Sequence, residues 1–258
     1  MRQLSWEIFP CPSKKWDKSS IPLSMSESDC GVCMPRTIHE TSAAATVVIP
    51  QFNESQLTIQ AIQSLRRWDS HRWPILVVDN GSSPESLRAL HQLDDPETEI
   101  LTLTQPGLTA AWNFAARHCR TKSLVFLNND TLTTGPWVNA LIAPLDSRQV
   151  GITGVEMRCE LHLKPALELL AGWCFAVRRD TFHAVGGFDE SMKLYFSDTD
   201  FQLRVREYDF GGSFAPWTVV PGLPISHLSH QTARRLPHRR SLWNADYTRF
   251  RNRWNRSH

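Results

Sequence analysis

The chain has 258 residues and a mass of 29.5 kDa, with 41% hydrophobic and 21% charged residues. That balance excludes a disordered polymer or a fibrous repeat and fits one large domain with appended ends. No apolar run nears the roughly 20 residues of a bilayer span. The first residues carry Trp6, Lys14, Lys15 and Asp17 where a secretory signal would be apolar. Six irregularly spaced cysteines do not read as a disulfide framework, so a soluble protein of a reducing, cytoplasmic compartment is expected. The formal net charge of +2 hides an asymmetry: residues 231–258 hold eight arginines against Asp246 alone, leaving the remainder net acidic. A basic end on an acidic body points to a phosphate-bearing ligand, an anionic membrane surface or nucleic acid, or to nothing more than a solvated basic helix.

Residues 1–44 mix Pro, Ser, Lys and scattered aromatics without periodicity and read as an irregular extension. Cys30 and Cys33 have the spacing of a zinc pair, but no second pair follows and His39 is the only histidine nearby, so no zinc site is expected. From Thr46 the pattern sharpens. Thr46–Pro50 is a β-branched run stopped by proline, as a buried strand is. Glu54–Trp68 carries Leu57, Ala61, Ile62 and Leu65 at helical spacing. Ile75–Val78 predicts a second strand, Pro84–Leu93 a serine-capped helix, Ile100–Leu103 a third strand, Leu108–His118 a third helix and Leu124–Leu127 a fourth strand.

After Gly151 the pattern loosens. A strand is expected over Gly172–Arg178, a short helix over Arg179–Val185, a turn at Gly186–Asp189, a helix over Ser197–Arg206, a strand near Trp217–Val220 and a basic final helix from about Arg239. Strands alternating with helices through short connections argue for a parallel, doubly wound α/β sheet. In such sheets ligands bind beyond the carboxyl ends of the strands, where this chain places Gln51–Glu54, Asp79–Ser83 and Asn128–Asp130.

Each polar cluster has two readings. Asp79-Asn80-Gly81-Ser82 can accept hydrogen bonds from a base or ribose, and is equally a good turn. Asn128-Asn129-Asp130 offers oxygens for a hard divalent cation that takes its other ligands from a diphosphate, or is an Asx-rich turn. Asp198 and Asp200, two residues apart at a helix start, either favour the helix dipole or supply a general base. His227, with His230, is either a further metal ligand or a structural histidine.

Taken in order, VVIPQFNE, LVVDNGS, LVFLNND, VGGFDE and YFSDTDFQLRVRE, followed by a histidine, resemble the family 2 glycosyltransferases of GT-A fold, and most nearly their bacterial rhamnosyltransferase-like branch. The resemblance covers about Thr46 to His230 and extends weakly through Tyr247–Trp254. It implies a mostly parallel, Rossmann-like α/β central sheet flanked by helices. It also implies a division into an extension (1–44), a transferase domain (45–230) and a basic helical tail packed on that domain (231–258). In the family's terms Pro50, Glu54, Asp79, Asn80 and Asn129 fall in the donor site, and Asn113 faces the donor sugar.

The family's Asp-Xaa-Asp metal motif falls on Asn128-Asn129-Asp130. Asparagine replaces its first aspartate, so Asp130 and His227 are the expected ligands of Mn2+ or Mg2+. The base falls on Asp198, with Asp200 as the competing candidate, and serine stands where the family has a preceding glutamate. Gly172 and Trp173 match the acceptor-side loop, Trp173 with a ring that can stack on a sugar. The implied activity is inverting transfer from a nucleoside-diphosphate sugar to a saccharide or a lipid-linked acceptor, the latter at the inner face of a membrane. A nucleotidyltransferase is disfavoured because Gln51-Phe52-Asn53-Glu54 has no Gly- and Lys-rich phosphate loop. A catalytically degenerate binder, or a nucleic-acid module stacking bases on Trp243, Tyr247, Phe250 and Trp254, is the alternative. The spacing of three and four between Tyr247, Phe250 and Trp254 favours packing of one helix face instead.

Overall fold

The computed structural model describes residues 43–103, 107–208, 210–211, 213–228 and 238–254. Cys30, Cys33, His39 and His230 lie outside them. A seven-stranded sheet forms the centre, in the order β10-β6-β9-β4-β1-β2-β3. Its strands are β1 (Ala45–Gln51), β2 (Ile75–Asp79), β3 (Thr98–Thr102), β4 (Ser123–Leu127), β6 (Val150–Gly154), β9 (Cys174–Arg178) and β10 (Ala215–Val219).

Alternation along the strands divides the core into two layers. Val47, Ile49, Ile75, Val77, Val125 and Leu127 point to one face, where they meet α1 (Ser55–Trp68), α2 (Pro84–His91) and α4 (Val138–Ile142) through Ile62, Leu65, Leu90 and Leu141. Val48, Leu76, Val78, Leu124 and Phe126 point to the other. There they meet α3 (Leu108–His118), α5 (Arg179–Ala184) and α6 (Ser197–Glu207) through Trp112, Ala115, Phe182, Phe201 and Val205.

The expected helices and strands appear with boundaries shifted by a few residues, and Leu108–His118 without any shift. Two features differ. β3-β2-β1-β4 and the β6–β10 pair are parallel, but β9 runs antiparallel to both β4 and β6. Cys174–Arg178 is buried throughout, and a continuous apolar run looks the same in either direction. The reversal has a consequence for the site: Leu127 pairs with Cys174, so the residues just before β9 lie at the same edge as the carboxyl ends of β1, β2, β4 and β6.

The second difference is the span after β4, which contains β5 (Thr131–Thr133), α4, β6 and the hairpin β7 (Met157–Glu160) and β8 (Leu167–Leu170). These elements are three to five residues long, too short to show a period. β5 pairs antiparallel with β11 (Ile225–His227), matching Thr131 to His227. A third apolar cluster of Leu163, Leu169, Met192, Phe196, Leu203 and Phe250 seats the final helix, α7 (Arg239–Trp254), with Trp243, Tyr247 and Trp254 packed against it. The aromatic side chains of the basic tail therefore pack inward.

Candidate active site

The carboxyl ends of β1 and β2 are in register, Gln51 opposite Asp79. Gln51 is buried and ties the two together: its Nε2 donates to Ser82 Oγ and Ser86 Oγ, and its Oε1 accepts from Thr58. Asn53, in the left-handed region at φ 55°, donates from its backbone N–H to Ser82 Oγ and accepts from the Ser83 N–H. Pro50 is buried within β1, while Glu54 stands half-buried at the start of α1. Asn80 accepts from the Gly107 N–H ahead of α3.

Asp79 has no exposed surface. Its Oδ2 accepts from the Ser82 N–H at 3.2 Å, but its Oδ1 is buried with no hydrogen-bond partner. Such an orphan is costly unless something else satisfies it.

At the end of β4, Asn129 Nδ2 donates to Thr58 Oγ1, and the β5–β11 ribbon brings His227 Nε2 to 2.9 Å from Asp130 Oδ1. Asn128 Nδ2 lies 3.5 Å from the same imidazole nitrogen. Asp130 is 3% exposed. A carboxylate oxygen beside an imidazole nitrogen is a donor set that Mn2+ or Mg2+ accepts. Among the described residues no group of three or more His, Cys, Asp or Glu side chains forms a complete metal site. Asp130 and His227 could thus supply two protein ligands to such an ion.

Trp173 stands here too, but not as an open sugar platform. Its ring stacks on His227 at 5.2 Å and 5°, and its indole N–H donates to Glu156 at 2.7 Å. It fixes the plane of the imidazole.

Asp198 opens α6 from the opposite side of this edge. It is preceded by Phe196 at φ 60°, a left-handed conformation that costs a bulky residue about 1 kcal/mol or more. The Asp198 side chain is 14% exposed and pairs with Arg158 of β7 at 2.9 Å. The same carboxylate holds the Arg158 guanidinium above its ordinary pKa, against the opposing effect of burial.

Gly172 is what allows Asp198 to lie there, since a Cβ on it would meet Asp198 Oδ2 at 2.1 Å. Gly172→Ala is expected to displace the carboxylate by about 1 Å and to lower kcat about 10²-fold, with nucleotide binding unchanged. Steady-state kinetics beside a nucleotide titration checks both.

Asp200 takes a different course. Two residues along a helix are about 200° apart, so it turns into the body. It has no exposed surface and is bound by Arg204 at 2.8 Å, Arg253 at 2.7 Å and the Trp254 indole at 3.0 Å. All of its bonding is taken up by these partners, whereas Asp198 keeps part of its side chain exposed. Asn113 also departs from expectation. Its amide donates to the Phe188 carbonyl and to Glu190 and accepts from the Phe188 N–H, so it clamps the Gly187–Glu190 turn in place of facing a donor sugar. Gly187, at φ +68°, is required there because a Cβ would lie 2.7 Å from Asn113 Oδ1. Arg158 and Glu156 are not marked in the sequence, and Gln51 is marked only as a member of the Gln51–Glu54 cluster. No local signal marks their roles, because their partners are distant in the chain.

A mostly parallel sheet flanked by helices thus carries Asp79 at the end of β2, Asp130 just beyond β4 and Asp198 in the first turn of α6. Residues 46–199 match the family described as Glycosyl transferase family 2, and the chain belongs to that family. It is 25% identical over 206 residues to the O-antigen biosynthesis protein RfbC of Myxococcus xanthus, an alignment covering 62% of this chain and 16% of that protein. The chain spans less than a third of the length of the curated relatives it matches. Among solved structures it is similar to the mannosyltransferase PcManGT of Pyrobaculum calidifontis, solved with GDP-Man and Mn2+ (TM-score 0.59, 18% identity, 81% of this chain and 64% of that one). It is also similar to glucosyl-3-phosphoglycerate synthase of Mycobacterium tuberculosis, solved with Mn2+, UDP and glucosyl-3-phosphoglycerate (TM-score 0.59, 16% identity, 84% and 82%).

Proposed function

We propose that this chain transfers a sugar from a nucleoside-diphosphate donor to a hydroxyl of a saccharide or lipid-linked acceptor, with inversion at the anomeric carbon. The observation that carries this reading is the division of labour among three aspartates. Asp79 is buried with a free acceptor oxygen, Asp130 is paired with His227, and Asp198 is held partly exposed across the same strand edge.

Asp79 Oδ1 accepts a hydrogen bond from the donor's base or ribose, and the Gln51–Ser82–Ser86 network keeps the surrounding turn rigid. Asp130 and His227, with Asn128 beside them, would hold Mn2+ or Mg2+, which when bound offsets the charge gathering on the departing diphosphate. Asp198 takes the proton from the acceptor hydroxyl as its oxygen bonds to the anomeric carbon and the bond to the diphosphate breaks. Arg158 keeps that carboxylate oriented toward the acceptor. With Asp198 as a base the acceptor hydroxyl itself is the nucleophile, so the reaction is a single displacement, and single displacement inverts configuration. NMR of the first product formed from an α-linked donor should show a β-linkage. Retention would overturn this mechanism.

The acceptor class rests on the RfbC relative, whose name places it in O-antigen biosynthesis. Among the described residues no helix is long and apolar enough to cross a membrane. Nucleic acid is not a favoured partner, since the aromatic side chains that would stack bases are packed against the body.

Asp79→Ala is expected to weaken nucleotide binding about tenfold to a hundredfold, the worth of a hydrogen bond to a buried charge. Isothermal titration with the cognate nucleoside diphosphate measures it.

A further inference from the structure

The segment that carries Asp198 has no regular structure of its own from Val185 to Phe196, yet it must hold a carboxylate in place. What fixes it comes largely from α7, the last described helix of the chain. Asp246 is the only acidic residue of the basic tail and is fully buried. Its Oδ1 accepts from the Lys193 N–H at 3.0 Å, and its Oδ2 accepts from the Leu194 and Tyr195 N–H groups at 2.9 and 3.0 Å.

Three successive backbone donors turned to one side have no partner within the loop. A buried carboxylate gathers them with charge-assisted hydrogen bonds. One turn later on α7, Phe250 stacks on Phe196 at 5.0 Å and 20°, gripping the residue whose left-handed backbone starts α6. A turn further, Arg253 bridges Asp189 at 3.0 Å and Asp200 at 2.7 Å, and Trp254 donates to Asp200. Burial opposes the charge on Arg253, but the hydrogen bonds and charges of those two aspartates hold it above its ordinary pKa.

At about 100° per residue, Asp246, Phe250 and Arg253 share the inward face of α7. The exposed side of the helix carries Ser241, Asn244, Ala245, Thr248 and Asn252, flanked by the exposed Arg240, Arg249 and Arg251. The contacts of the inward face converge on the loop before Asp198.

We propose that Asp246 is a positioning residue for glycosyl transfer: through the 193–195 backbone and Phe196, helix α7 sets the Asp198 carboxylate against Gly172 at the reacting hydroxyl. This rests on the reading of Asp198 as the base. The fixed geometry is that of the loop and not of the donor site, whose residues Asp79, Asp130 and His227 stand on β2, β4 and the β5–β11 ribbon.

The test is a double-mutant cycle in the full-length chain with Asp246→Asn and Asp198→Asn. The asparagine amide presents a donor where the backbone N–H groups need an acceptor. Asp246→Asn alone is expected to lower kcat about tenfold to a hundredfold while nucleotide affinity stays within about twofold. In the Asp198→Asn background the same substitution should cost no more than about twofold, because no base remains to be misplaced. Equal losses of kcat in both backgrounds, or a parallel loss of nucleotide binding, would mean a general structural role and overturn the proposal. Near-normal turnover of Asp198→Asn alone would remove the base assignment itself, a result visible in one arm before the cycle is closed. If Asp246→Asn does not yield folded protein, Phe250→Leu keeps the burial, removes the ring from Phe196 and carries the same cycle to the same two outcomes.

Discussion

Asp198→Asn is expected to retain nucleotide binding and to lose about 10²–10⁴-fold in kcat, the contribution of a positioned general base. The substitution keeps the size of the side chain and can still accept from Arg158, so the local packing over Gly172 survives. What disappears is the ability to take a proton from the acceptor hydroxyl. Asp200→Asn behaves differently in kind. Asp200 bridges Arg204, Arg253 and the Trp254 indole in a fully buried site. Neutralising it removes the counter-charge of the partly buried Arg204 and one of the two that Arg253 has, and leaves an amide where three donors meet a carboxylate, which lowers stability. Thermal unfolding separates the two: Asp198→Asn melts close to the parent, and Asp200→Asn well below it. Turnover of Asp198→Asn within a few-fold of the parent would remove it as the base.

The second large effect concerns Asp130. Asp130→Ala should weaken binding of a nucleoside diphosphate about tenfold to a hundredfold in the presence of Mn2+ and leave it unchanged in chelator. His227→Ala should act in the same direction through the same ion. The pairing of the two side chains at 2.9 Å makes their effects non-additive in the double variant. An equal loss with and without metal would show that Asp130 contacts the donor itself.

Much of the half built on β1, β2 and β4 was legible in the sequence because its signals are local. β1, β2 and β4 alternate between two buried faces, and each ends in a polar cluster at the strand end where ligands of α/β sheets bind. Helix α3 was readable to the residue because its apolar positions recur over three turns. The half after β4 was less legible because its logic is long-range. The direction of β9, which brings Gly172 and Trp173 to the site, depends on pairing with β4 and β6 and leaves no trace in a run buried on both faces.

Asp198 and Asp200 could not be ranked by spacing alone. Two residues on a helix necessarily diverge, and only the packing of α7 determines which one is enclosed. The resemblance gives Trp173 and Asn113 ligand contacts by their positions before β9 and on α3, and in the structure they hold His227 and the Phe188 turn. Their partners lie far along the chain, and neither residue type announces whether it faces a ligand or a neighbour. Asp246 was visible as one acid among eight arginines. Its role required knowing that three N–H groups some fifty residues earlier converge on it.

The central claim is a donor site in which Asp79 binds the nucleotide and Asp130 with His227 binds its metal. Titration of a panel of nucleoside diphosphates and nucleotide sugars into the protein, with Mn2+ or Mg2+ and again with chelator, tests it most directly. Selective binding of one nucleotide, strengthened by the metal and lost in Asp79→Ala, is the expected result. A folded sample that binds none of the panel, with or without metal, would contradict it.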